Sequence, residues 1–464
     1  MSAPRIDTLL VLGAGGDLTG RLLLPGLATL LASDWGEGRP APLVLGSDRD
    51  ELGSREWRER VRSAFRRADV EGDRLTDAEE RTHYLPADVT RADDLRRLLD
   101  ACEGTPAIYF ALPPAVTELA CEALAAVDLP PGTVLVLEKP FGVDRDSAGR
   151  MNRLLAELVP EQQVFRVDHF LGRSDVLNIL GVRFGNRLLT PVWNRHHVDR
   201  VEIVYDEQLA LEGRAGYYDH AGALSDMVQS HLLQVMAVLM MEPVDSIDER
   251  SFRDAKSELL RATRVWADDP REGSRRARYA AGRLGERSVP AYSDEEGVDP
   301  DRGTETLAEV TLEVENDRWA GVPVVLRSGK ALGRVRKAAV VTLKPVAHLP
   351  DGLLGQETLD TVTIGFKPPR LAIRLDVNGP GDPWDLEHAD LDADLGAGEL
   401  TAYGEVLRGV LDGDPLLSVR GDNAEECWRI VEPVVRAWRE DEVPLETYPA
   451  GSSGPSGWVT SGRP

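Results

Sequence analysis

Cysteine and basic side chains are scarce in this chain of 464 residues. The three cysteines, Cys102, Cys121 and Cys427, are too widely spaced for a metal site, and their odd number does not fit a disulfide framework. The 54 Lys and Arg residues are outnumbered by 79 Asp and Glu residues, which gives a net charge of −25. So acidic a surface repels nucleic acids and anionic membranes. We therefore expect no nucleic-acid or membrane partner, no metal site, and a cytoplasmic location.

Long apolar runs are also missing from the sequence. The first run, residues 6–12, is too short for a secretory signal, and we find no stretch that resembles a membrane span. With 42% hydrophobic residues the composition is that of a globular protein, and the length predicts about two to four domains.

The first part of the chain alternates strand-like and helix-like segments. Apolar runs predict strands at residues 9–12, 43–45, 107–112 and 134–137, and helical spacing predicts helices at 17–31, 51–65 and 116–126. This alternation is typical of a parallel sheet with helices on both faces, as in a Rossmann dinucleotide-binding domain. We assign that α/β domain to residues 1–170.

The pattern changes after about residue 165. Alternating apolar residues at 201–205, 306–314 and 339–343 predict a mainly antiparallel sheet, and the apolar segment 227–241 predicts a helix that packs on it. Residues 268–287 and the tail, residues 451–464, have the composition of surface loops. We expect a larger α+β domain over residues 171–464.

A glycine-rich turn lies between the first strand and the first helix. Its glycines, Gly13, Gly15 and Gly16, allow the backbone to approach a pyrophosphate at the helix N-terminus, which begins near Asp17 and Leu18. The alternative is a tight turn in which Asp17 caps the helix and no cofactor binds.

Two charged residues follow the second strand, where a dinucleotide fold reads the adenosine ribose. An arginine there, Arg49, favours the 2′-phosphate of NADP, whereas an acid, Asp48, favours the 2′-hydroxyl of NAD. We expect NADP as the cofactor, with NAD as an alternative.

Further polar residues cluster at the ends of predicted strands and on the long apolar helix. Lys139 follows a strand in a chain that has only six lysines, which indicates that a compact cation is needed there. Asp168 and His169 lie in a charged segment, residues 166–173. His231 on the apolar helix is a candidate general base with Asp168 as its acid partner; a buried structural histidine is the alternative reading.

Together these motifs resemble the glucose-6-phosphate dehydrogenase family. The resemblance rests on the turn at residues 13–18, on Glu-Lys-Pro-Phe-Gly at 138–142, and on Arg-Val-Asp-His-Phe-Leu-Gly-Arg at 166–173, where the family usually has Arg-Ile-Asp-His-Tyr-Leu-Gly-Lys. Shorter matches follow in the family's order at residues 111–114, 193–195, 214–219, 226–234, 321–323, 327–330 and 451–455.

The resemblance implies an enzyme that oxidises glucose 6-phosphate at carbon 1 to 6-phosphogluconolactone and reduces NADP, as in the first step of the oxidative pentose phosphate pathway. It also implies a homodimer or homotetramer that associates through the antiparallel sheet. His231 would be the general base and Asp168 would orient it. The implied substrate residues are Lys139, His169, Arg173, Glu207, Asp226 and Lys330, and the implied cofactor residues are Gly13, Gly15, Gly16, Asp17, Leu18, Arg49 and Lys139.

The chain departs from the family pattern around the phosphate site. Phe170 replaces a tyrosine, Arg173 replaces a lysine, and Leu22 stands where the family usually has a lysine. The second phosphate cation, beyond Lys330, is expected at residue 334 or 336. These departures are compatible with two alternatives. The chain is then a relative that acts on another sugar phosphate or a free sugar with NAD or NADP, or a non-catalytic regulatory paralogue.

Overall fold

The computed structural model describes residues 5–38, 40–213, 215–355 and 359–458. The chain forms two compact units that are each assembled from three segments. Unit 1 comprises Met1–Leu177, Pro243–Ser257 and Gly398–Glu426; unit 2 comprises Asn178–Glu242, Glu258–Ala397 and Cys427–Pro464. Unit 1 therefore contains the segment assigned to the Rossmann domain, residues 1–170, together with two later segments.

Unit 1 is built on a sheet of six parallel strands. In chain order they are Thr8–Leu12 (β1), Leu43–Ser47 (β2), His83–Tyr84 (β3), Pro106–Phe110 (β4), Val134–Glu138 (β5) and Val164–Val167 (β6). The spatial order is β3-β2-β1-β4-β5-β6, which is the doubly wound order of dinucleotide-binding folds. The predicted parallel sheet is confirmed.

Two hydrophobic cores lie on opposite faces of this sheet because successive strand residues point to opposite sides. Leu9 and Val11 belong to one core, which helices Leu24–Ala32 and Ala402–Asp412 complete. Leu10 and Leu12 belong to the other core, which helices Ala92–Asp100, Pro114–Leu124 and Arg145–Leu158 complete. The predicted covering of both faces is confirmed.

The α-helices of the described residues are Leu24–Ala32, Ser54–Arg67, Asp73–Glu80, Ala92–Asp100, Pro114–Leu124, Arg145–Leu158, Ser174–Phe184, Ala215–Ala223, Leu233–Met240, Glu249–Arg261, Pro270–Gly273, Ala402–Asp412 and Gly421–Arg439. Short 3₁₀ turns occur at Glu161–Gln163, Thr190–Val192, Trp266–Asp268, Tyr292–Asp294 and Pro300–Arg302, and π-helical turns at Thr19–Leu23 and Leu224–Leu232.

Unit 2 contains a large mixed sheet and a separate hairpin. Its strands are Val198–Asp206 (β7), Thr263–Val265 (β8), Ser274–Ala280 (β9), Gly282–Leu284 (β10), Arg287–Val289 (β11), Leu307–Val314 (β12), Val324–Gly329 (β13), Arg336–Leu343 (β14), Leu354–Gly355 (β15), Thr361–Phe366 (β16), Pro369–Asn378 (β17), Asp385–Asp394 (β18) and Leu445–Pro449 (β19). The large sheet has the order β15-β18-β17-β16-β14-β7-β13-β12-β9-β19, with β8 also paired to β12. Most neighbours are antiparallel, as predicted; β7 with β13, β9 with β19 and β15 with β18 are parallel.

The prediction of a surface loop at residues 268–287 is wrong. Strand β9 lies within this stretch and pairs with β12 and β19. Its arginines hide the alternation: Arg276 is buried, and its guanidinium donates to the Val443 carbonyl at 2.9 Å and pairs with Asp441 at 2.8 Å. An arginine whose stem is buried and whose head is paired can therefore occupy a core-facing strand position.

The described part of the tail also packs instead of forming a loose loop. The Gly451 N–H donates to the Ala331 carbonyl at 2.7 Å, and the Ser453 carbonyl accepts a hydrogen bond from Arg327 at 3.0 Å. Trp458 is buried, and its indole N–H donates to Glu446 at 2.8 Å. The remainder of the predicted loop, residues 459–464, lies outside the described residues, as does Arg214 of the matched motif at 214–219.

The predicted helix at residues 227–241 is part of a longer helical run in unit 2. By length and composition alone this run, Ala215–Met240, would be able to cross a membrane. Most of its apolar part is buried within the protein, which is the environment of a core helix. Length and composition therefore do not by themselves indicate a membrane span here.

Candidate active site

The glycine turn after β1 forms a tight backbone cradle. Gly13 has a φ of +86°, and a Cβ on it would overlap the carbonyl oxygen of Ala111, so only glycine fits. The Gly13 carbonyl accepts hydrogen bonds from the Gly16 N–H and the Thr19 hydroxyl, each at 3.0 Å. A backbone held open at a helix N-terminus is suited to a dinucleotide pyrophosphate. The residues present thus fit the cofactor that the sequence implies.

Asp17 does not serve the capping role of the alternative reading. The helical turn has already begun at this residue, and its carboxylate lies 3.6 Å from Arg21 on the exposed surface. The residue at the start of the following π-helical turn, Leu18, is not capped by a side chain.

Asp48 and Arg49 lie beside this turn. The Asp48 carboxylate accepts the Gly15 N–H at 3.1 Å and the Arg49 N–H at 2.8 Å. The Arg49 guanidinium forms an exposed ion pair with Asp88 at 3.2 Å. Hydrogen bonds from Thr90 foremost, and also from Arg49, hold the pKa of Asp88 below its usual value. The Asp88 carboxylate therefore competes with any phosphate that the Arg49 guanidinium would bind.

Arg60 is a second arginine at the turn, and the sequence motifs did not identify it. Its guanidinium donates to the carbonyls of Gly15 and Gly16, the latter at 3.0 Å. The signal that would have found it is its place in helix Ser54–Arg67, which follows β2 and faces the first helical turn. Arg60 stabilises the turn and adds positive charge where the cofactor phosphates are expected.

Lys139 lies directly after β5, at the carboxyl end of the sheet where ligands bind in such folds. The residue before it, Glu138, accepts hydrogen bonds from two phenols, that of Tyr109 at 2.5 Å and that of Tyr403 at 3.2 Å. Gly142 has a φ of +83°, and its Cβ would lie 2.5 Å from the Ala148 nitrogen. A glycine is therefore required where the chain turns from Lys139 into the next helix.

Asp168 follows β6 and is almost fully buried, with 2% exposed. Its Oδ1 accepts the Phe170 N–H at 2.9 Å, which fixes the carboxylate. Arg166, two residues earlier, also fixes this segment, because its buried guanidinium binds Glu161 at 2.8 Å and Asn152 at 2.7 Å. The sequence-predicted acid is thus held rigidly at a strand end of unit 1.

His169 is held by aromatic neighbours. Its ring stacks on Tyr403, with centroids 5.9 Å apart and planes at 14°, and meets Phe170 edge-on at 5.1 Å. Phe170, which replaces the family's tyrosine, is buried.

Arg173 is oriented by its own segment. Asp175 accepts two hydrogen bonds from one edge of its guanidinium, at 2.9 and 2.6 Å, and the cation lies 5.1 Å from the centre of the Phe170 ring. Such a bidentate pair fixes the plane of the guanidinium and partly neutralises its charge.

In unit 2, three strand ends bring Glu207 between two lysines. Lys330 and Lys337 each donate to one of its carboxylate oxygens at 3.1 Å. Burial alone would raise the pKa of Glu207, but the two ammonium groups outweigh it and hold that pKa below its usual value. Glu207 therefore stays ionised and remains a strong hydrogen-bond acceptor.

Lys337 directly follows Arg336, one of the two arginines that the sequence offers as the second phosphate cation, and it pairs with Glu207. Arg334, Arg336 and Lys337 all line one groove on the sheet with residues of β16 and β17. No local motif indicates Lys337, because it lies within strand β14. Its place near Glu207 follows from the register of β14 with β7, in which Arg336 pairs with Asp206 and Lys337 pairs with Tyr205. The structure thus adds Lys337 to the candidate substrate residues.

Asp226 and His231 lie on the π-helical turn Leu224–Leu232. The Asp226 carboxylate accepts the Tyr217 hydroxyl at 3.3 Å, and the Asp226 carbonyl accepts the Ser230 hydroxyl at 2.6 Å. His231 is 1% exposed. π-helical turns are frequent at functional sites, which favours the functional reading of this histidine over the structural one.

The turn that carries His231 begins at a break in the helical run. Gly222 has a φ of +62°, and the Leu224 N–H beyond it donates to the buried Glu305 carboxylate at 2.8 Å. Burial is the main cause that raises the pKa of Glu305 to about 7. Glu305 thus caps the start of the π-helical turn Leu224–Leu232, and the absence of a side chain at Gly222 leaves space for its carboxylate.

We expect Gly222→Ala to destabilise the protein by about 2–4 kcal/mol, because the new methyl group would overlap the Glu305 carboxylate and the φ is strained. Gly216→Ala on the same helix is the matched control: its Cβ enters open space, and its free energy of unfolding should change by less than about 1 kcal/mol. Equilibrium unfolding in denaturant measures both, and equal effects would contradict the role given to Gly222.

Comparison with known proteins identifies the family. Residues 10–178 match the family model "Glucose-6-phosphate dehydrogenase, NAD binding domain", and residues 180–460 match "Glucose-6-phosphate dehydrogenase, C-terminal domain". The glucose-6-phosphate 1-dehydrogenase of Gluconobacter oxydans is 35% identical over 463 residues, covering 96% of this chain and 94% of that protein. That of Mycolicibacterium smegmatis is also 35% identical, over 96% of this chain and 93% of its own.

Solved structures agree with these sequence matches. A glucose-6-phosphate dehydrogenase in complex with its substrate glucose 6-phosphate has a TM-score of 0.86 at 27% identity, covering 98% of this chain and 97% of that one. The glucose-6-phosphate 1-dehydrogenase of Mycobacterium avium has a TM-score of 0.85 at 29% identity, with all of both chains covered. The chain therefore belongs to the glucose-6-phosphate dehydrogenase family.

Proposed function

We propose that this chain oxidises glucose 6-phosphate at carbon 1 to 6-phosphogluconolactone and reduces NADP, the first step of the oxidative pentose phosphate pathway. The observation that carries the proposal is the family match over nearly the whole chain, in which both family models are found in order. The retention of a buried acid, Asp168, a buried histidine, His231, and a strand-end lysine, Lys139, supports a catalyst over a regulatory paralogue.

The cofactor site is proposed at the glycine turn. Gly13, Gly15, Gly16, Asp17 and Leu18 would place the pyrophosphate at the helix N-terminus, with Arg49 at the 2′-phosphate and Lys139 near the nicotinamide end. When bound, NADP supplies the hydride acceptor. The backbone cradle at Gly13 and the strand-end position of Lys139 support this assignment.

We assign the proton transfer to His231. Oxidation of a hydroxyl requires a base to take its proton while the carbon gives up a hydride. The neutral imidazole of His231 would accept the proton from the hydroxyl on carbon 1, and Asp168 would orient that ring and stabilise the imidazolium that forms. The fixed carboxylate of Asp168, held by the Phe170 N–H, supports a positioning task of this kind.

The sugar phosphate is assigned to cations for its phosphate and to acceptors for its hydroxyls. His169 and Arg173 would bind the phosphate, and Lys139 and Lys330 would contact the sugar. Glu207 and Asp226 would accept from its hydroxyls. The lysine pair that keeps Glu207 ionised supports its role as an acceptor.

For the assembly we propose a homodimer or a homotetramer. Apolar side chains are exposed on one face of the outer strands of unit 2: Leu375 and Val377 on β17 are 36% and 43% exposed, and Leu391 on β18 is 58% exposed. Leu391 pairs with Ile373, two residues before Leu375, so the three share a face. Burial of such a face against a second copy would remove apolar surface from water.

We also propose that the protein works in the cytoplasm. Cys102, Cys121 and Cys427 form no disulfide, as expected in a reducing compartment. Burial raises the pKa of both Cys102 and Cys121 to about 12, so these two thiols are poor nucleophiles.

The decisive experiment compares initial rates with glucose 6-phosphate and with free glucose, each with NADP and with NAD. Two charge-assisted hydrogen bonds to the phosphate are worth about 3–6 kcal/mol, so kcat/KM for the phosphorylated sugar should exceed that for glucose by at least about 10²-fold. Epimeric and aminated sugar phosphates extend the comparison.

Three outcomes would contradict the proposal in different ways. Equal kcat/KM for glucose and glucose 6-phosphate would remove His169 and Arg173 from the phosphate site. A higher kcat/KM for another sugar phosphate would replace the substrate. Binding of NADP without oxidation of any sugar in the panel would favour the regulatory paralogue.

A further inference from the structure

Glu138 is a charged residue next to the proposed site to which the reaction assigns no task. It ends β5 and directly precedes Lys139. Both phenols that reach it, those of Tyr109 on β4 and Tyr403 on helix Ala402–Asp412, donate to the same oxygen, Oε1, at 2.5 and 3.2 Å. One carboxylate oxygen thus accepts and orients two phenols from different elements.

Of the two phenols, Tyr403 also contacts a proposed substrate residue, His169. It is almost buried, at 6% exposed, and its backbone and Cβ pack so closely on Gly26 that a methyl group there would lie 2.6 Å from the Tyr403 Cβ. Its ring stacks on the His169 imidazole, with planes 14° apart. Glu138, Tyr403 and His169 thus form a continuous series of contacts within unit 1.

We propose that Glu138 is a positioning residue for the sugar-phosphate site: its carboxylate fixes the Tyr403 phenol, and the Tyr403 ring fixes the plane of the His169 imidazole. This inference rests on the proposed function, in which His169 binds the phosphate. An imidazole donates along its ring plane, so an error in that plane misdirects the donor and weakens a charge-assisted hydrogen bond.

The charge of Glu138 makes this positioning dependent on pH. Burial is the largest cause that raises the pKa of Glu138 to about 7; the two phenols and Lys139 lower it, and Asp168 raises it. The ionised carboxylate accepts both phenols, whereas the protonated form carries a hydrogen of its own and accepts less strongly. The alignment of Tyr403 is therefore strongest well above pH 7, where Glu138 is ionised, and weakens as the pH falls through about 7.

Tyr403→Phe tests the first contact, because it removes the hydrogen bond and keeps the stacked ring. At pH 8 we expect its KM for glucose 6-phosphate to rise about fivefold, the factor for one lost hydrogen bond, with kcat within about twofold. Its KM for free glucose should not change, since glucose has no phosphate for His169. Tyr109→Phe is the matched control: it removes the other phenol from the same oxygen, and its KM should stay within about twofold.

Glu138→Gln tests the charge. Glutamine keeps a carbonyl oxygen for both phenols but does not titrate, so the variant should fold and retain kcat within about twofold. Between pH 8 and pH 6 the KM of the unchanged enzyme should rise more steeply than that of Glu138→Gln. Titration of the substrate phosphate contributes equally to both profiles, so it does not produce a difference between them.

His169→Asn separates the two ways in which the inference can fail. If this variant leaves KM for glucose 6-phosphate unchanged, the phosphate role of His169 is wrong and the inference falls with it. If His169→Asn raises KM but Tyr403→Phe does not, only the positioning role is wrong. Equal effects of Tyr403→Phe on the KM for glucose and for glucose 6-phosphate would also overturn it, because a merely structural defect would affect both substrates.

Discussion

Replacement of His231 with asparagine is expected to lower kcat by at least about 10²-fold, the smallest contribution typical of a general base. Asparagine is polar and smaller than histidine, so it keeps the buried site polar without supplying a base. The KM values for glucose 6-phosphate and NADP should change by less than about threefold, since the proton moves only in the chemical step. Steady-state kinetics at saturating concentrations of glucose 6-phosphate and NADP measures the loss in kcat.

His220→Asn is the matched control for this prediction. His220 lies on the preceding helix, Ala215–Ala223, and is exposed, so the same substitution there should leave kcat within about twofold. Thermal unfolding of both variants reports whether the buried substitution weakens the fold. A folded His231→Asn enzyme that loses less than about tenfold in kcat would show that His231 is a core histidine.

The strands of unit 1 could be read from the sequence because their apolar runs are nearly continuous. Residues 9–12 and 134–137 are buried on both faces and contain only Leu and Val, so local composition is enough to place them. Strand β9 was missed for the opposite reason. It contains three arginines, and the acceptors that allow Arg276 to be buried, at Val443 and Asp441, are more than 160 residues away.

Candidate site residues that lie in short motifs were predicted from the sequence. Those that are indicated only by contacts between distant parts of the chain were missed. Lys139 and Asp168 were predicted from short motifs, and Glu207 from the family resemblance. Lys337 became visible only through the strand register, and Tyr403 only through its contact with Glu138, 265 residues away. Such contacts depend on tertiary packing, which no local pattern encodes.

The structure bears on the choice between NADP and NAD. The sequence leaves Asp48 and Arg49 as opposing signals. In the fold Asp48 binds the Gly15 N–H of the turn, while Arg49 pairs with Asp88. Asp48 therefore has a local structural task, and the exposed pair with Asp88 costs a bound 2′-phosphate on the order of 0–1 kcal/mol. That is too little to exclude NADP.

Asp168→Asn is the second substitution with a large expected effect, roughly 10²–10³-fold in kcat. The amide keeps an oxygen that can accept the Phe170 N–H, which Asp168 Oδ1 accepts at 2.9 Å, so the segment should retain its shape. It loses the negative charge that would stabilise a protonated imidazole, and a neutral partner can also favour the wrong tautomer of the base. Asp168→Glu, which keeps the charge but displaces it, should lose less than Asp168→Asn.

The double variant Asp168→Asn/His231→Asn shows whether the two residues act as one unit. If Asp168 acts only through the His231 imidazole, removal of the imidazole abolishes its effect, and the double variant should lie within about threefold of His231→Asn. Multiplicative losses would mean that the two residues contribute independently, and Asp168 would then need a role of its own toward the substrate or the cofactor. The distinction depends on kcat ratios and not on absolute rates, so a modest common loss of stability does not obscure it.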